Sequence, residues 1–398
     1  MSATEAVPAT TAPARRSRRS RRAVIFPLVL VTALALLFGV PWATLVLTGG
    51  WPAPVVAAGT AVFVAAVAAF PLMMVAGHGR RRNDRAAVTG DTLLGVIWIL
   101  FTWSVLGNVA RLVLALVGVD DPVRSRSVTV GVLAVSAVLA LWGWREAMRV
   151  PRVRRVEVAI DRLGAGLDGA TVALITDTHY GPIDRAAWSA GVVEALNGLD
   201  ADIVCHTGDI ADGSVAQRRE QAAPLGAVRA KLARTYVTGN HEYFGEAQGW
   251  VDHMGELGWT ALRNTHTVVE RGGDRLVIAG VDDYTAAGSG LAGHREDLGA
   301  ALAGADPDLP VLLLAHQPKQ IGNAVRHGVD LQISGHTHGG QIWPFHWLVR
   351  TDQPALQGLS RHGERTQLYT SRGTGFWGPP MRVFAPSEIT LITLRAPR

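Results

Sequence analysis

The chain has 398 residues, 48% of them hydrophobic, a formal net charge of +5 and a single cysteine. One cysteine excludes a disulfide framework, and the length allows either two domains or a membrane region joined to one domain. The charge is unevenly divided: residues 1–155 carry 18 Arg against 6 acidic residues, net +12, while the rest carries 20 Lys or Arg against 27 acidic residues, net −7. The basic surplus therefore flanks apolar segments instead of covering a folded face, and no nucleic-acid partner is expected.

The first 22 residues are small and polar, then basic (Arg15, Arg16, Arg18, Arg19, Arg21, Arg22), and read as a disordered tail. Four apolar stretches follow, at 24–48, 53–77, 92–117 and 127–147. Each reaches the roughly 20 residues a helix needs to cross hydrocarbon, so 23–148 is expected to be an all-α transmembrane region of four helices in the lipid bilayer. Arginines cluster before the first stretch, after the second (Arg80, Arg81, Arg82, Arg85) and around the end of the fourth (Arg145, Arg149, Arg152, Arg154, Arg155), whereas the turns at 48–51 and 120–126 are poorer in them. The positive-inside rule then predicts a multi-pass cell-membrane protein with both ends of the region, and the rest of the chain, in the cytoplasm. Residues 20–26, Ser-Arg-Arg-Ala-Val-Ile-Phe, have the pattern of a twin-arginine export signal, which would put the remainder outside; three further spans with basic flanks weigh against it. Arg111, within the third stretch, is expected to snorkel to the outer interface.

Residues 149–155 read as a basic juxtamembrane linker suited to an anionic leaflet. From Val156 to Arg398 the pattern changes to short apolar runs (170–176, 203–207, 235–238, 275–280, 311–315, 331–334, 367–370 and 388–394) alternating with helical candidates (184–197, 214–233, 246–257, 293–303 and 318–326). This alternation predicts an α/β domain with its own core.

Five of the apolar runs end in metal-ligand types: Asp177 and His179, Asp209, Asn240, His316, and His336 with His338. The ends of strands in open α/β sheets are where such folds carry their sites. Asp177 and His179 are two apart and, along an extended segment, would share a face. Gly335 is expected to let the chain turn sharply before the histidine pair. Asp209 has two oxygens and could bridge two ions. The mixture of Asp, Asn and His suits Mn, Fe or Zn better than magnesium or thiolate zinc sites. Two divalent ions about 3.5–4 Å apart, bridged by hydroxide, are suited to in-line attack on phosphorus.

Asp177-Thr-His179, Gly208-Asp-Ile-Ala-Asp212, Gly239-Asn-His-Glu242, His316 and Gly335-His-Thr-His338 resemble the five ordered blocks of the calcineurin-like metallophosphoesterases. The resemblance covers 156–398 and implies two β-sheets packed face to face and flanked by helices. It implies a first metal held by Asp177, His179, Asp209 and His338, a second held by Asp209, Asn240, His316 and His336, and His241 as general acid paired with Asp212. The Gly-Gly-Gln341 extension, Gly239-Asn-His-Glu-Tyr243 and the membrane region resemble a bacterial membrane-associated branch that includes relatives of UDP-diacylglucosamine pyrophosphatases. Gly213 follows Asp212 where protein serine/threonine phosphatases carry Arg, which disfavours that activity.

The expected function is a membrane-anchored hydrolase of a phosphate ester or pyrophosphate, with a lipid as one candidate substrate. The alternatives are a non-catalytic membrane interaction protein and a phosphodiesterase of soluble nucleotides. His206 could support the site from behind, Asp282 or Asp283 could add a carboxylate, and the tryptophan-rich loops 342–349 and 376–381 are expected to dip into the membrane interface.

Overall fold

The computed structural model describes residues 15–79 and 83–397. Its contacts form two compact units, Met1–Ala68 with Leu100–Ala134, and Ala69–Ile99 with Val135–Arg398. Among the described residues, four helices are long and apolar enough to cross a membrane: α1 (Arg15–Trp42, continued by a π-helical stretch Ala43–Leu47), α2 (Ala53–His78), α3 (Asp84–Leu116) and α4 (Val123–Met148). The first begins at Arg15, inside the stretch expected to be a tail. Arginine is a good helix former and an established helix propagates cheaply past its apolar part. The rest of that tail, and Arg80–Arg82, lie outside the described residues. Leu72, Val75, Leu112 and Leu116 are exposed along these helices, as side chains that meet lipid would be. In the first unit the two arginine-poor turns are tied together, Arg126 Nε and Nη2 donating to the carbonyls of Gly49 and Gly50 at 3.0 and 2.9 Å.

After α4 the chain forms β1 (Arg152–Ala159), β2 (Thr171–Ile175), α5 (Ala186–Asn197), β3 (Ile203–His206), α6 (Val215–Ala222), β4 (Ala233–Tyr236), α7 (Asn240–Phe244), α8 (Ala247–Glu256), β5 (Thr260–Ala261), β6 (Thr265–Arg271), β7 (Asp274–Gly280), α9 (Leu298–Ala301), β8 (Val311–Leu314), α10 (Ile321–Arg326), β9 (Leu331–Ser334), α11 (His346–Val349), β10 (Gly358–His362), β11 (Thr366–Thr370) and β12 (Glu388–Arg395). They build two mixed sheets, ordered β1-β12-β2-β3-β4-β5 and β10-β11-β9-β8-β7-β6. Strand alternation explains the layers. Val172, Leu174, Ile203 and Cys205 of the first sheet meet Ile278, Leu312, Leu314 and Ile333 of the second in one core. Their neighbours Ala173, Ile175 and Val204 face outward onto Val192, Leu196 and Trp250 of the helices, while Val277 and Leu313 pack on Leu298 and Ile321 on the other side. Both faces of the central strands are thus buried, which is why they read as continuous apolar runs.

Three expectations need correction. The stretch 149–155 is mostly strand, because Arg152–Ala159 alternates valine with charge and pairs in parallel with β12, while Arg152 bonds Glu146 at 2.5 Å and Arg154 pairs with Glu388 at 3.5 Å. Helix 214–233 stops at Ala222 and gives way to a tighter 3-10 turn containing Pro224. Of 293–303 only Leu298–Ala301 is helical, with Asp297 accepting from the Ala300 amide as its cap.

In the second unit the membrane helices are part of the domain's packing. At 33 residues α3 is about 50 Å long against the roughly 30 Å of hydrocarbon, so it has turns to spare. Trp98 Nε1 donates to the Ile342 carbonyl at 3.3 Å, and a Cβ on Gly95 would meet Met381 and Pro379 at 3.0 Å. On α4 the Gly143 carbonyl accepts from the Arg382 amide at 2.9 Å and Trp142 lies against Phe384. The two tryptophan-rich loops thus seat on α3 and α4, while Trp347, Leu348 and Phe384 stay exposed.

Candidate metal centre

Strands β2, β3 and β4 run parallel in one sheet, and β8 and β9 run parallel in the other. Their carboxyl ends deliver Asp177 and His179, Asp209, Asn240, His316, and His336 with His338, and all seven come together. The route differs from the expectation for Asp177 and His179, which do not lie on an extended segment. Asp177, His179, Asp209, His336 and His338 all have φ between 43° and 70°. Left-handed backbone at non-glycine residues costs of order 1–3 kcal/mol each and clusters at functional sites. Gly335 is required for a reason other than a turn: a Cβ there would lie 2.1 Å from Asp177 Oδ2 and 2.2 Å from Thr176 Oγ1. The same close approach lets the His336 amide donate to both oxygens of Asp177, at 2.9 and 3.1 Å.

Two nests of donors result, one of Asp177, His179 and His338 and one of Asp209, His316 and His336, the atoms of each lying within 4.8 Å of one another. Asp209 belongs to both by distance, its Oδ2 being 3.7 Å from His179 Nε2 and 3.1 Å from His316 Nε2. His316 donates from Nδ1 to the Thr207 carbonyl at 2.8 Å, so a neutral ring would turn a bare Nε2 toward the oxygens of Asp209 and Asn240, each at 3.1 Å. That cluster demands a positive charge. Burial opposes an imidazolium at His316, yet Asp209, Asp177 and Asp283 outweigh it and push its pKa up to about 10; a divalent cation meets the same demand. The nests therefore fit metal ions. Burial, Arg382 and His179 keep His338 neutral, as a ligand must be.

Asp212 organises the neighbouring chemistry. Its Oδ1 accepts from His179 Nδ1 at 3.0 Å and from His241 Nδ1 at 2.6 Å. Fixing Nδ1–H in both rings leaves Nε2 of His179 to the cluster and Nε2 of His241 to a substrate. Burial works against a charged His241, but Asp209 and Asp212 more than offset it and push its pKa up to about 9.

His179, Asp212 and His241 open onto a cavity of about 290 Å³. One wall is formed by the end of α2, Gly77 and His78, and the start of α3, Asp84, Val88 and Asp91; another is Phe376, Trp377 and Pro380. The first wall is tied down by Arg218 of α6, which donates to both oxygens of Asp84 at 2.8 and 2.5 Å, and by His78 with Asp91 at 3.0 Å. Gln341 secures the other wall, donating to the carbonyls of Trp377 and Pro379 at 2.7 and 3.0 Å and accepting from the Trp377 amide at 2.9 Å.

His206 is buried behind the cluster, its Nδ1 accepting from the Gly208 amide at 3.2 Å and its Nε2 3.3 Å from Thr178 Oγ1. Asp283 is buried and accepts from Gln317 and Thr285; Asp282 is taken up by Arg263. Sequence reasoning missed Glu242 and Arg382. Glu242 accepts from the amides of Gly239, Asp209 and Ile210 at 2.6, 3.0 and 2.7 Å and so locks two blocks together. A glutamate two residues after the candidate ligand Asn240 was the available signal. Arg382, fully buried, donates to the carbonyls of His338, Gly375, Arg372 and Ala385.

A family model described as calcineurin-like phosphoesterase matches residues 170–340. A "Transmembrane protein with metallophosphoesterase domain" from Danio rerio is 35% identical over 308 residues, 75% of this chain and 70% of that protein. An "Uncharacterized metallophosphoesterase" of Helicobacter pylori J99 is 36% identical over 268 residues, 66% of this chain and 70% of that protein. Among solved structures, a dimetal phosphatase from Danio rerio covers 52% of this chain and 88% of its own at 15% identity and a TM-score of 0.36, a distant likeness only. With the same ordered blocks converging on one cluster, the chain belongs to the calcineurin-like metallophosphoesterase family, whose members are metal-dependent.

Proposed function

We propose that the protein is a membrane-anchored phosphoesterase that hydrolyses a phosphate ester or pyrophosphate carried by a lipid, at the cytoplasmic face. The observation that carries this reading is the wall of the catalytic pocket: the facing ends of two apolar helices, Gly77 and His78 of α2 and Asp84, Val88 and Asp91 of α3, line it together with His241 and Asp212. A reacting phosphate in that pocket lies beside helix ends, where a headgroup can reach while its acyl chains stay in the bilayer. The basic flank of these helix ends, Arg85 with its neighbours, supports the cytoplasmic side.

Asp177, His179, Asp209 and His338 would hold one divalent ion, and Asp209, Asn240, His316 and His336 a second, with Mn, Fe or Zn suited to these donors. Such ions supply Lewis acidity toward the phosphoryl oxygens and make water more acidic. The residues supply the rest. Water adds to phosphorus, the P–O bond to the leaving group breaks, and the proton that water gives up is balanced by the one the leaving oxygen gains. His241 delivers that proton from Nε2, while Asp212 at Nδ1 holds the ring in place and steadies its charge. Phe244 and Trp377, with ring centroids 5.2 and 5.9 Å from that of His241, limit water around the acid.

The test is hydrolysis by the full-length chain with added manganese, on an aryl phosphodiester in solution and on phospholipids or lipid diphosphates in vesicles. Turnover of a vesicle lipid at a higher kcat/KM than the soluble ester is expected. Activity confined to the soluble ester would remove the lipid from the reading, and no activity on either would remove the hydrolase.

A further inference from the structure

One buried cation beside the cluster has no assigned work. Arg185 follows the His179 loop and is 3% exposed, on the pocket wall near His179, Asp212 and Phe376. Its guanidinium lies between the Trp188 ring, 3.5 Å from the centroid, and the Phe376 ring, at 4.6 Å. Both faces are covered, so only the N–H edge remains for hydrogen bonding. Along that edge Nη1 donates to the Thr178 carbonyl at 3.2 Å, but Nε and Nη2 reach no protein acceptor. Among the described residues no carboxylate forms an ion pair with it. The other two arginines near the cavity are provided for: Arg382 by four carbonyls and Arg218 by Asp84. Buried N–H groups without acceptors are uncommon in folded proteins and call for a specific reason.

We infer that Arg185 binds a second anionic group of the substrate, an oxyanion adjoining the phosphoryl group at the cluster, through Nε and Nη2. The planar fork formed by these two nitrogens matches two oxygens of one phosphate. This rests on the phosphoesterase reading above and narrows it to substrates with two adjoining anionic groups, of which a diphosphate is the simplest. Access runs beneath Phe376. Phe376 lines the cavity beside Arg185 in an irregular loop, so an oxyanion reaches the N–H edge when that side chain swings aside, a movement that unpairs no strand. Selectivity follows from the same contact: a substrate with a single phosphate leaves the buried N–H groups unpaired, and a diphosphate satisfies them.

The experiment uses the full-length protein in detergent micelles at fixed free manganese. Wild type, Arg185→Lys and Arg185→Gln are assayed on a diaryl phosphodiester and on a P1,P2-diaryl diphosphate, with metal content as the check on folding. Each replacement is expected to lower kcat/KM on the diphosphate at least ~10-fold more than on the phosphodiester, chiefly through KM, with lysine failing because it lacks the fork. Equal losses on both substrates would make Arg185 a structural residue and overturn the inference. Thermal unfolding provides a second readout: inorganic diphosphate should raise the Tm of wild type more than orthophosphate does, and Arg185→Gln should abolish that difference. If neither ester is turned over by wild type, the phosphoesterase reading falls and the unfolding result alone decides on Arg185. If the phosphodiester is cleaved but the difference in Tm is absent, the Arg185 inference alone falls.

Discussion

At the scale of single residues, the two carboxylates Asp209 and Asp212 each serve two partners, and this makes their replacement diagnostic. Asp209 Oδ2 is close to nitrogens of both nests, so Asp209→Asn should weaken both sites. Elemental analysis of the purified variant should find less than one metal per chain, with turnover lower than in His336→Ala. Two retained metals and near-normal turnover would refute the bridging role. His241→Ala should slow poor leaving groups by roughly 10²–10⁴-fold and activated aryl esters much less, with metals retained. Asp212→Asn should do more than His241→Ala, because Oδ1 also sets the tautomer of His179; its distinguishing mark is a fall in metal content as well as in rate. Equal metal content in the two variants would limit Asp212 to the acid. That the seven candidate ligands would converge was legible because each follows an apolar strand. The left-handed backbone that carries five of the seven candidates was not, since nothing in Asp177 or His338 announces a positive φ; it accompanies close approaches such as that of Gly335 to Asp177.

At the scale of elements, the strands of the two sheets were legible where both faces are buried and obscure at the edges. Edge strand β1 hid behind its arginines, and β6 and β10 are half-exposed alternations without a continuous apolar run. The tryptophan-rich loops were expected to dip into the membrane interface, and only part of each is exposed as that requires. Trp343 is partly buried and lies against Phe384, whereas Trp347 and Leu348 of α11 are 62% and 54% exposed. Exposed apolar side chains next to helices of membrane-spanning length are suited to an interface. Replacing Trp347 and Leu348 together with Ser should therefore spare the soluble phosphodiester and lower kcat/KM on vesicle lipid several-fold. Parallel loss on both substrates would show that α11 supports the cluster's fold and not lipid access.

At the scale of the whole molecule, the open question is the side of the membrane, and the chain supplies its own probe. Cys205, the only cysteine, is fully buried in β3, with burial holding its thiol up at about 12, so it should be silent toward maleimides. New cysteines can then report topology one at a time. Asp120 lies in the exposed, arginine-poor turn between α3 and α4, and Asp200, 83% exposed at its side chain, lies in the catalytic half. On the proposed orientation, the arginine excess at 80–85 and after α4 predicts a cytoplasmic position for those stretches and the opposite side for the turns at 48–51 and 120–126. A membrane-impermeant maleimide applied to intact cells should therefore label Asp120→Cys, and it should label Asp200→Cys only after permeabilisation. Wild type should stay unlabelled in both conditions. The reverse pattern would put the metal cluster outside the cell, support the export signal at residues 20–26, and require its substrate to be a headgroup of the outer leaflet.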